Sequence, residues 1–184
     1  MSARPHHPRV RDRRGTQVLC LKQARLATIL VAVDLGEHTK TLLDYATELS
    51  TKLGARAHLL HSVDWPLLGA ELPSVISDAA MDEIKERKRR ELAGLAAAYP
   101  GVLQAGSAML REGDPRAVIP ATAVELGADL IVMGTHGRRG FSRLMLGSVA
   151  ESVARTASCP VLLVRVEHGA GSATSSRAQA EPPA

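Results

Sequence analysis

The stretch Ala27-Thr28-Ile29-Leu30-Val31-Ala32-Val33-Asp34 decides the fold class. Its apolar residues are consecutive rather than alternating, the pattern of a strand covered by helices on both faces, and strands of that kind build parallel sheets. The run closes on a charged residue, Asp34, where the chain leaves the core. Beyond it the period changes. Leu42, Leu43, Ala46, Leu49 and Leu53 recur at steps of three and four, which predicts a helix over residues 39–53 with Gly54 as a left-handed C-terminal cap.

The same alternation continues along the chain. Residues 56–63 read as a second strand, and the Trp65-Pro66 and Leu72-Pro73 pairs interrupt regular structure before a long helix over 74–98, which Pro100-Gly101 stops. Residues 102–111 form a third strand. Asp114-Pro115 opens the next helix, with Asp as cap and Pro at the first helical position, and Gly127 ends it. A fourth strand over 129–133, a glycine-rich loop over 134–146, a helix opened by Gly147 or Ser148 and ending near Ser158, and a fifth strand over 160–166 complete the series. Strand and helix taking turns predict a single open, doubly wound α/β domain with a five-stranded parallel sheet.

A chain of 184 residues with 45% hydrophobic residues can bury one sizeable core. Its four aromatic residues are too few for a module that stacks bases on exposed rings. No apolar run approaches the roughly 20 residues needed to cross a bilayer, and residues 1–25 lack the compact apolar segment of a secretory signal, so the expected location is the cytoplasm. The net charge of +4 is unevenly placed: residues 1–25 carry seven Lys or Arg against Asp12 alone, and the remainder carries 16 basic and 18 acidic residues. A mildly acidic body with a basic arm is unlike a DNA-binding domain, whose positive charge covers a folded face. The expected organisation is a disordered basic arm over 1–25, a folded domain over 26–167 and a disordered tail over 168–184, rich in Ala, Ser, Gly and Pro.

Several polar groups read as structural. In the charged run from Asp82 to Glu91, Glu83 precedes Arg87 by four residues and Glu86 precedes Arg90 by four, as on the solvated face of a helix. His58 and His61 are three apart in a strand, so they point to opposite faces and cannot share a metal. Cys20 and Cys159 have neither disulfide-framework nor metal-ligand spacing and are expected as reduced thiols. No nucleophile sits at recognisable spacing from a base.

The segment from Met133 to Val149, Met-Gly-Thr-His-Gly-Arg-Arg-Gly-Phe-Ser-Arg-Leu-Met-Leu-Gly-Ser-Val, is different. It leaves the carboxyl end of the fourth strand, where open α/β sheets form their binding crevice. Glycines at 134 and 137 let a backbone approach a ligand and present N–H groups to phosphate oxygens. Gly147-Ser148 opens a helix whose N-terminus suits an anion, and Arg138, Arg139 and Arg143 add positive charge. The loop is neither a Walker A motif nor a G-x-G-x-x-G turn. Its pattern is G-x-x-G, nine residues, then G-S.

That pattern resembles the nucleotide-binding loop of the universal stress protein family, ATP-binding subclass. The resemblance extends to Ile29-Leu30-Val31-Ala32-Val33-Asp34, Leu59-Leu60-His61-Ser62-Val63, Gly113-Asp114-Pro115, Asp129 through Gly134, and Cys159-Pro160-Val161-Leu162-Leu163-Val164, about 140 residues in all. It implies a Rossmann-like sheet of strand order 3-2-1-4-5, a homodimer joined along the last strand, and bound ATP, with Mg or Mn bridging the phosphates rather than held in a protein cage. Carried over by position, Ala32, Asp34 and Ser62 would border the adenine, Met133 and Gly134 the adenine and ribose, and Gly137, Arg138, Gly147, Ser148 and Val149 the phosphates. Asp34 also reads as a helix cap. Many relatives have Ser where this chain has Gly36, and the basic arm has no counterpart in the shared core. No base stands ready to activate water, so the resemblance implies a nucleotide-dependent sensor or regulator of the stress response that acts through an unidentified protein partner, with slow hydrolysis at most. The alternatives are an ATP-hydrolysing or nucleotidyl-transferring enzyme of the same fold, and a nucleotide-free dimeric adaptor.

Overall fold

The computed structural model describes residues 9–11, 17–19, 26–65, 77–135 and 146–165. Its body is one sheet of five strands, β1 (Thr28–Ala32), β2 (Arg56–Val63), β3 (Leu103–Glu112), β4 (Leu130–Gly134) and β5 (Val161–Val164). Among the described residues four helices follow these strands, α1 (Thr39–Leu53), α2 (Asp78–Ala98), α3 (Pro115–Leu126) and α4 (Ser148–Thr156). Every neighbouring pair in the sheet is parallel and the order is 3-2-1-4-5. The expected architecture and order are the observed ones, with element ends shifted by a few residues.

The apolar run from Thr28 to Ala32 is the middle strand of the sheet. Ile29, Leu30 and Val31 have no exposure at all. Because a strand sends successive side chains to opposite faces, Ile29, Val31 and Val33 join α1, Leu92 of α2, Ala57, Leu59 and Leu103 in one core. Leu30, Ala32 and Leu60 join Ile119 and Ala123 of α3 and Ala150 and Val153 of α4 in the other. Thus α1 and α2 cover one face, and α3 and α4 the opposite face. The β1 strand is tied at its start to β4 by the Asp129 carboxylate, which accepts the amides of Ala27 and Thr28 at 2.8 and 3.0 Å.

Local signals are met closely. Gly54 takes φ +62° at the end of α1, donating its amide toward Ser50 and Thr51. Asp114 caps α3 by accepting the Arg116 amide, and Pro115 is its first residue. Two details of α2 differ from expectation. Its ion pairs run at i,i+3, Lys85 with Asp82 and Arg89 with Glu86, where i,i+4 pairs were expected. Lys88 is also buried at 7% exposure, on the side of Leu92, so the charged run is not wholly a solvated face.

Within the basic arm, two short strands, Arg9–Arg11 and Gln17–Leu19, pair antiparallel with Val10 opposite Val18. A β-branched residue at the centre of each strand favours local pairing even though the composition around it is polar and basic. Among the described residues no helix is long and apolar enough to cross a membrane.

Candidate functional site

Strands β1 and β4 are hydrogen-bonded neighbours, with Ala32 opposite Met133. From their carboxyl ends the chain leaves toward opposite faces, to α1 on one side and α4 on the other. This is the switch point of the sheet, the place where an open α/β fold forms a crevice. The helix N-termini follow these strand ends, so their positive dipole ends lie at the same end of the sheet.

On the β4 side, the Thr135 amide donates to the Val164 carbonyl at 3.1 Å, extending the β4–β5 ladder by one residue. The Gly147 amide donates to the Thr135 carbonyl at 2.8 Å, so the glycine-rich segment departs and returns at one point. Gly147 is the N-cap residue of α4, with φ −61° and ψ 144°, and it supplies no side-chain cap. The first helical bond is Glu151 N–H to the Gly147 carbonyl at 2.9 Å. The amides of Ser148, Val149 and Ala150 therefore precede the helical ladder and are aimed out of the helix end. Ser148 is exposed and Val149 half-buried.

On the β1 side, the Val33 amide donates to the Leu60 carbonyl at 2.9 Å, and His61 Nδ1 lies 2.8 Å from the Val33 carbonyl. A carbonyl only accepts, so Nδ1 carries the proton. His61 is buried, and His58 is half-buried with its pKa held down by burial first and by Arg56 second. Their strand parity puts them on opposite faces as expected, and no group of three or more His, Cys, Asp or Glu that could hold a metal occurs among the described residues. The Asp34 carboxylate accepts the Gly36 amide at 2.9 Å. The α1 cap position is occupied by His38, without a side-chain cap bond, so Asp34 is not the helix cap. A Cβ on Gly36 would come within 3.1 Å of both Asp34 carboxylate oxygens, so a larger residue here requires that carboxylate to shift. Leu35 sits in the left-handed region at φ +57°, at a cost of about 1 kcal/mol, while its side chain packs against the core.

Gly134 is the last residue of β4, and the other expected site residues fall into three groups. Ala32 and Met133, at 7% and 5% exposure, bury their side chains in the α3–α4 core, so only their backbones face the crevice. The Ser62 hydroxyl donates to the Gly113 carbonyl at 2.5 Å, clasping β2 to the turn before α3. Gly137 and Arg138 lie outside the described residues, as do Arg139 and Arg143. The structure therefore brings Ala32, Asp34, Met133, Gly134, Gly147, Ser148 and Val149 to one end of the sheet, with Ser62 on the neighbouring strand.

One polar cluster joins residues far apart in sequence. At the ends of β2 and β3, Trp65 Nε1 donates to Glu112 Oε2 at 2.8 Å, Lys85 Nζ pairs with Glu112 Oε1 at 3.0 Å, and Lys85 lies 5.6 Å from the Trp65 ring centroid. The Trp65 hydrogen bond, followed by Lys85, lowers the Glu112 pKa, and Glu112 raises that of Lys85. Their separations in sequence, 65, 85 and 112, carry no signal of this meeting. Cys159 is a free thiol whose pKa burial pushes up, with Asp129 adding to the shift, the opposite of an activated nucleophile.

A doubly wound parallel α/β domain, with an uncapped helix end and a pinned glycine-rich loop at its switch point, is the class defined by this geometry. The sequence profile of the universal stress protein family matches residues 26–165, and the chain belongs to that family. A universal stress protein of Thermus aquaticus is 35% identical over 141 residues, which cover 75% of this chain and 98% of the relative. A crystal structure of a family member from Burkholderia pseudomallei shares 31% identity and superposes with a TM-score of 0.56, covering 77% of this chain and 97% of the other. A universal stress protein solved in complex with cAMP has the same fold at 22% identity, with a TM-score of 0.51 and coverage of 77% and 98%.

Proposed function

We propose that this universal stress protein binds ATP at the β1–β4 switch point and acts as a nucleotide-dependent regulator in the cytoplasm, as a homodimer, with little or no hydrolysis of its own. The observation that carries the reading is the α4 N-terminus: Gly147 leaves it without a side-chain cap, and the hydrogen bond to Thr135 holds it at the mouth of β4. Orphan amides, a positive dipole end and the Ser148 hydroxyl match a phosphate group. The backbones at Ala32, Met133 and Gly134 and the fixed Asp34 carboxylate border the base and ribose, and Gly137 and Arg138 complete the phosphate loop. That a protein of this fold takes cAMP is consistent with an adenine nucleotide at the same end of the sheet.

The described residues hold no group suited to caging a cation, so Mg or Mn would rest on the phosphates. The edge strand β5, with Leu162 at 41% exposure, is the surface for the second copy.

The test is to purify the full chain without added nucleotide, release bound small molecules with acid, identify them by chromatography, and titrate ATP into the stripped protein. Released or titrated ATP, lost on changing Gly134 or Gly147 to a bulky residue, is the expected result. Absence of both in the wild type overturns the reading in favour of a nucleotide-free adaptor, and rapid steady-state release of phosphate overturns it in favour of an enzyme.

A further inference from the structure

The α1 N-terminus holds a second unsatisfied group. Thr39, the first residue of this 15-residue helix, is only 6% exposed, and its Oγ1 has no hydrogen-bond partner among the described residues. Buried hydroxyls are normally satisfied, because leaving one unpaired costs about 1–3 kcal/mol. The adjoining backbone is settled: the Thr39 amide donates to the Gly36 carbonyl at 3.1 Å, and the helical ladder starts with Leu42 N–H to the His38 carbonyl at 3.0 Å. His38 provides no side-chain cap, and the first turn has no acidic residue. In a helix each Cα–Cβ bond tilts toward the N-terminus, and the N-terminus of α1 follows the end of β1 that forms the crevice.

We propose that Thr39 is a direct binding residue of this site, its hydroxyl donating to an oxygen of the sugar–phosphate portion of the bound nucleotide. The inference rests on the ATP-binding reading above and adds to it a contact from the α1 side. A donor there, opposite the α4 amides, gives the ligand polar contacts from helices on both faces of the sheet. The hydroxyl is buried and unpaired without ligand, so its removal acts with opposite sign on the free protein and on the complex.

The experiment is calorimetric titration of ATP into the full-length wild type, Thr39→Val and Thr39→Ser, with melting temperatures of the stripped proteins. Valine keeps the shape and removes the hydroxyl; serine keeps the hydroxyl. The expected result is ATP binding about five- to ten-fold weaker in Thr39→Val and within about two-fold of wild type in Thr39→Ser, with the free Val variant melting no lower than wild type. With 2′-deoxy-ATP, disappearance of the difference between wild type and Thr39→Val assigns the contact to the 2′-hydroxyl, and its persistence assigns it to the other oxygens of the sugar–phosphate portion. Equal ATP affinity in wild type and Thr39→Val overturns the inference and leaves the nucleotide site standing. A Val variant that both binds more weakly and melts lower assigns Thr39 a structural role and overturns it as well. A wild type that binds no ATP removes the parent reading and this one together.

Discussion

Gly147 donates its amide to the Thr135 carbonyl at 2.8 Å, closing the glycine-rich segment onto the end of β4. One hydrogen bond thus fixes where α4 begins, and with it the direction in which the amides of Ser148 to Ala150 face. Because Gly147 has no side chain, those amides stay available to a ligand.

Replacing Gly147 by Asp tests this directly. Its φ of −61° and ψ of 144° suit an ordinary N-cap residue, and an Asp carboxylate there accepts the amides of the first turn. Gly→Asp at an N-cap is worth only a few tenths of a kcal/mol in stability, so denaturant unfolding is expected to show a variant at least as stable as wild type. ATP binding, measured by titration, is expected to fall by at least about ten-fold, because the cap occupies the phosphate position and repels it. Full retention of binding would show that phosphates are held elsewhere.

Ser62 makes the contrasting case. Its hydroxyl is spent on the Gly113 carbonyl, and Gly113 holds φ +124° with Val118 Cγ2 3.1 Å from where a Cβ would be. Ser62→Ala is expected to cost about 1 kcal/mol of unfolding free energy, and Gly113→Ala about 2 kcal/mol through backbone strain and crowding. ATP affinity of Ser62→Ala should stay within about two-fold of wild type. A large loss of affinity without loss of stability would mean that Ser62 turns to the ligand on binding.

Acid stability should carry a signature of Asp114. The Arg116 side chain, ahead of its amide, holds the Asp114 pKa below the ordinary carboxylate value, against the opposing effect of burial. A lowered folded-state pKa gives stability that is present above the unfolded value of about 3.9 and is lost as pH falls through the folded value. The pair is solvent-exposed, so the contribution is a few tenths of a kcal/mol. Asp114→Asn keeps a capping oxygen and loses the charge. The melting temperature of wild type should therefore exceed that of the variant near neutrality, and the gap should close as pH falls from about 4 toward 2.

Leu162 tests the assembly. It stands 41% exposed on the edge strand β5, between half-buried Val161 and Leu163. A lysine there blocks strand-to-strand association of a sheet edge. Leu162→Lys is expected to sediment as a monomer while the wild type sediments as a dimer, with unchanged far-ultraviolet circular dichroism. A wild-type monomer, or a dimer that survives the change, places the second copy elsewhere or removes it.

Much of this molecule is legible along the chain because its signals are local. Continuous apolar runs mark β1 and β4, periodic leucines mark α1, and Gly54, Asp114-Pro115 and Gly127 mark helix ends at the residues where the structure puts them. The glycine pattern at 134, 137 and 147 identifies the candidate site for the same reason, since a backbone that must approach a ligand needs residues without side chains. The i,i+3 pairs on α2 and the burial of Lys88 were not legible, because they depend on how that helix is rotated against β3.

The alternation of strand and helix, the parallel character of the sheet and the family are all written in the amino-acid sequence, because they follow from periodicity and from motifs read within a few residues. Tertiary structure alone decided which groups meet and what each polar atom has left to give. The Ser62 hydroxyl is consumed by Gly113, Asp34 holds the Gly36 amide instead of capping α1, Trp65, Lys85 and Glu112 converge from distant parts of the chain, and the Thr39 hydroxyl is buried without a partner among the described residues. The physical reason is that hydrogen bonds and desolvation depend on distances of a few ångströms between residues far apart in sequence, and only the packed sheet and helices set those distances.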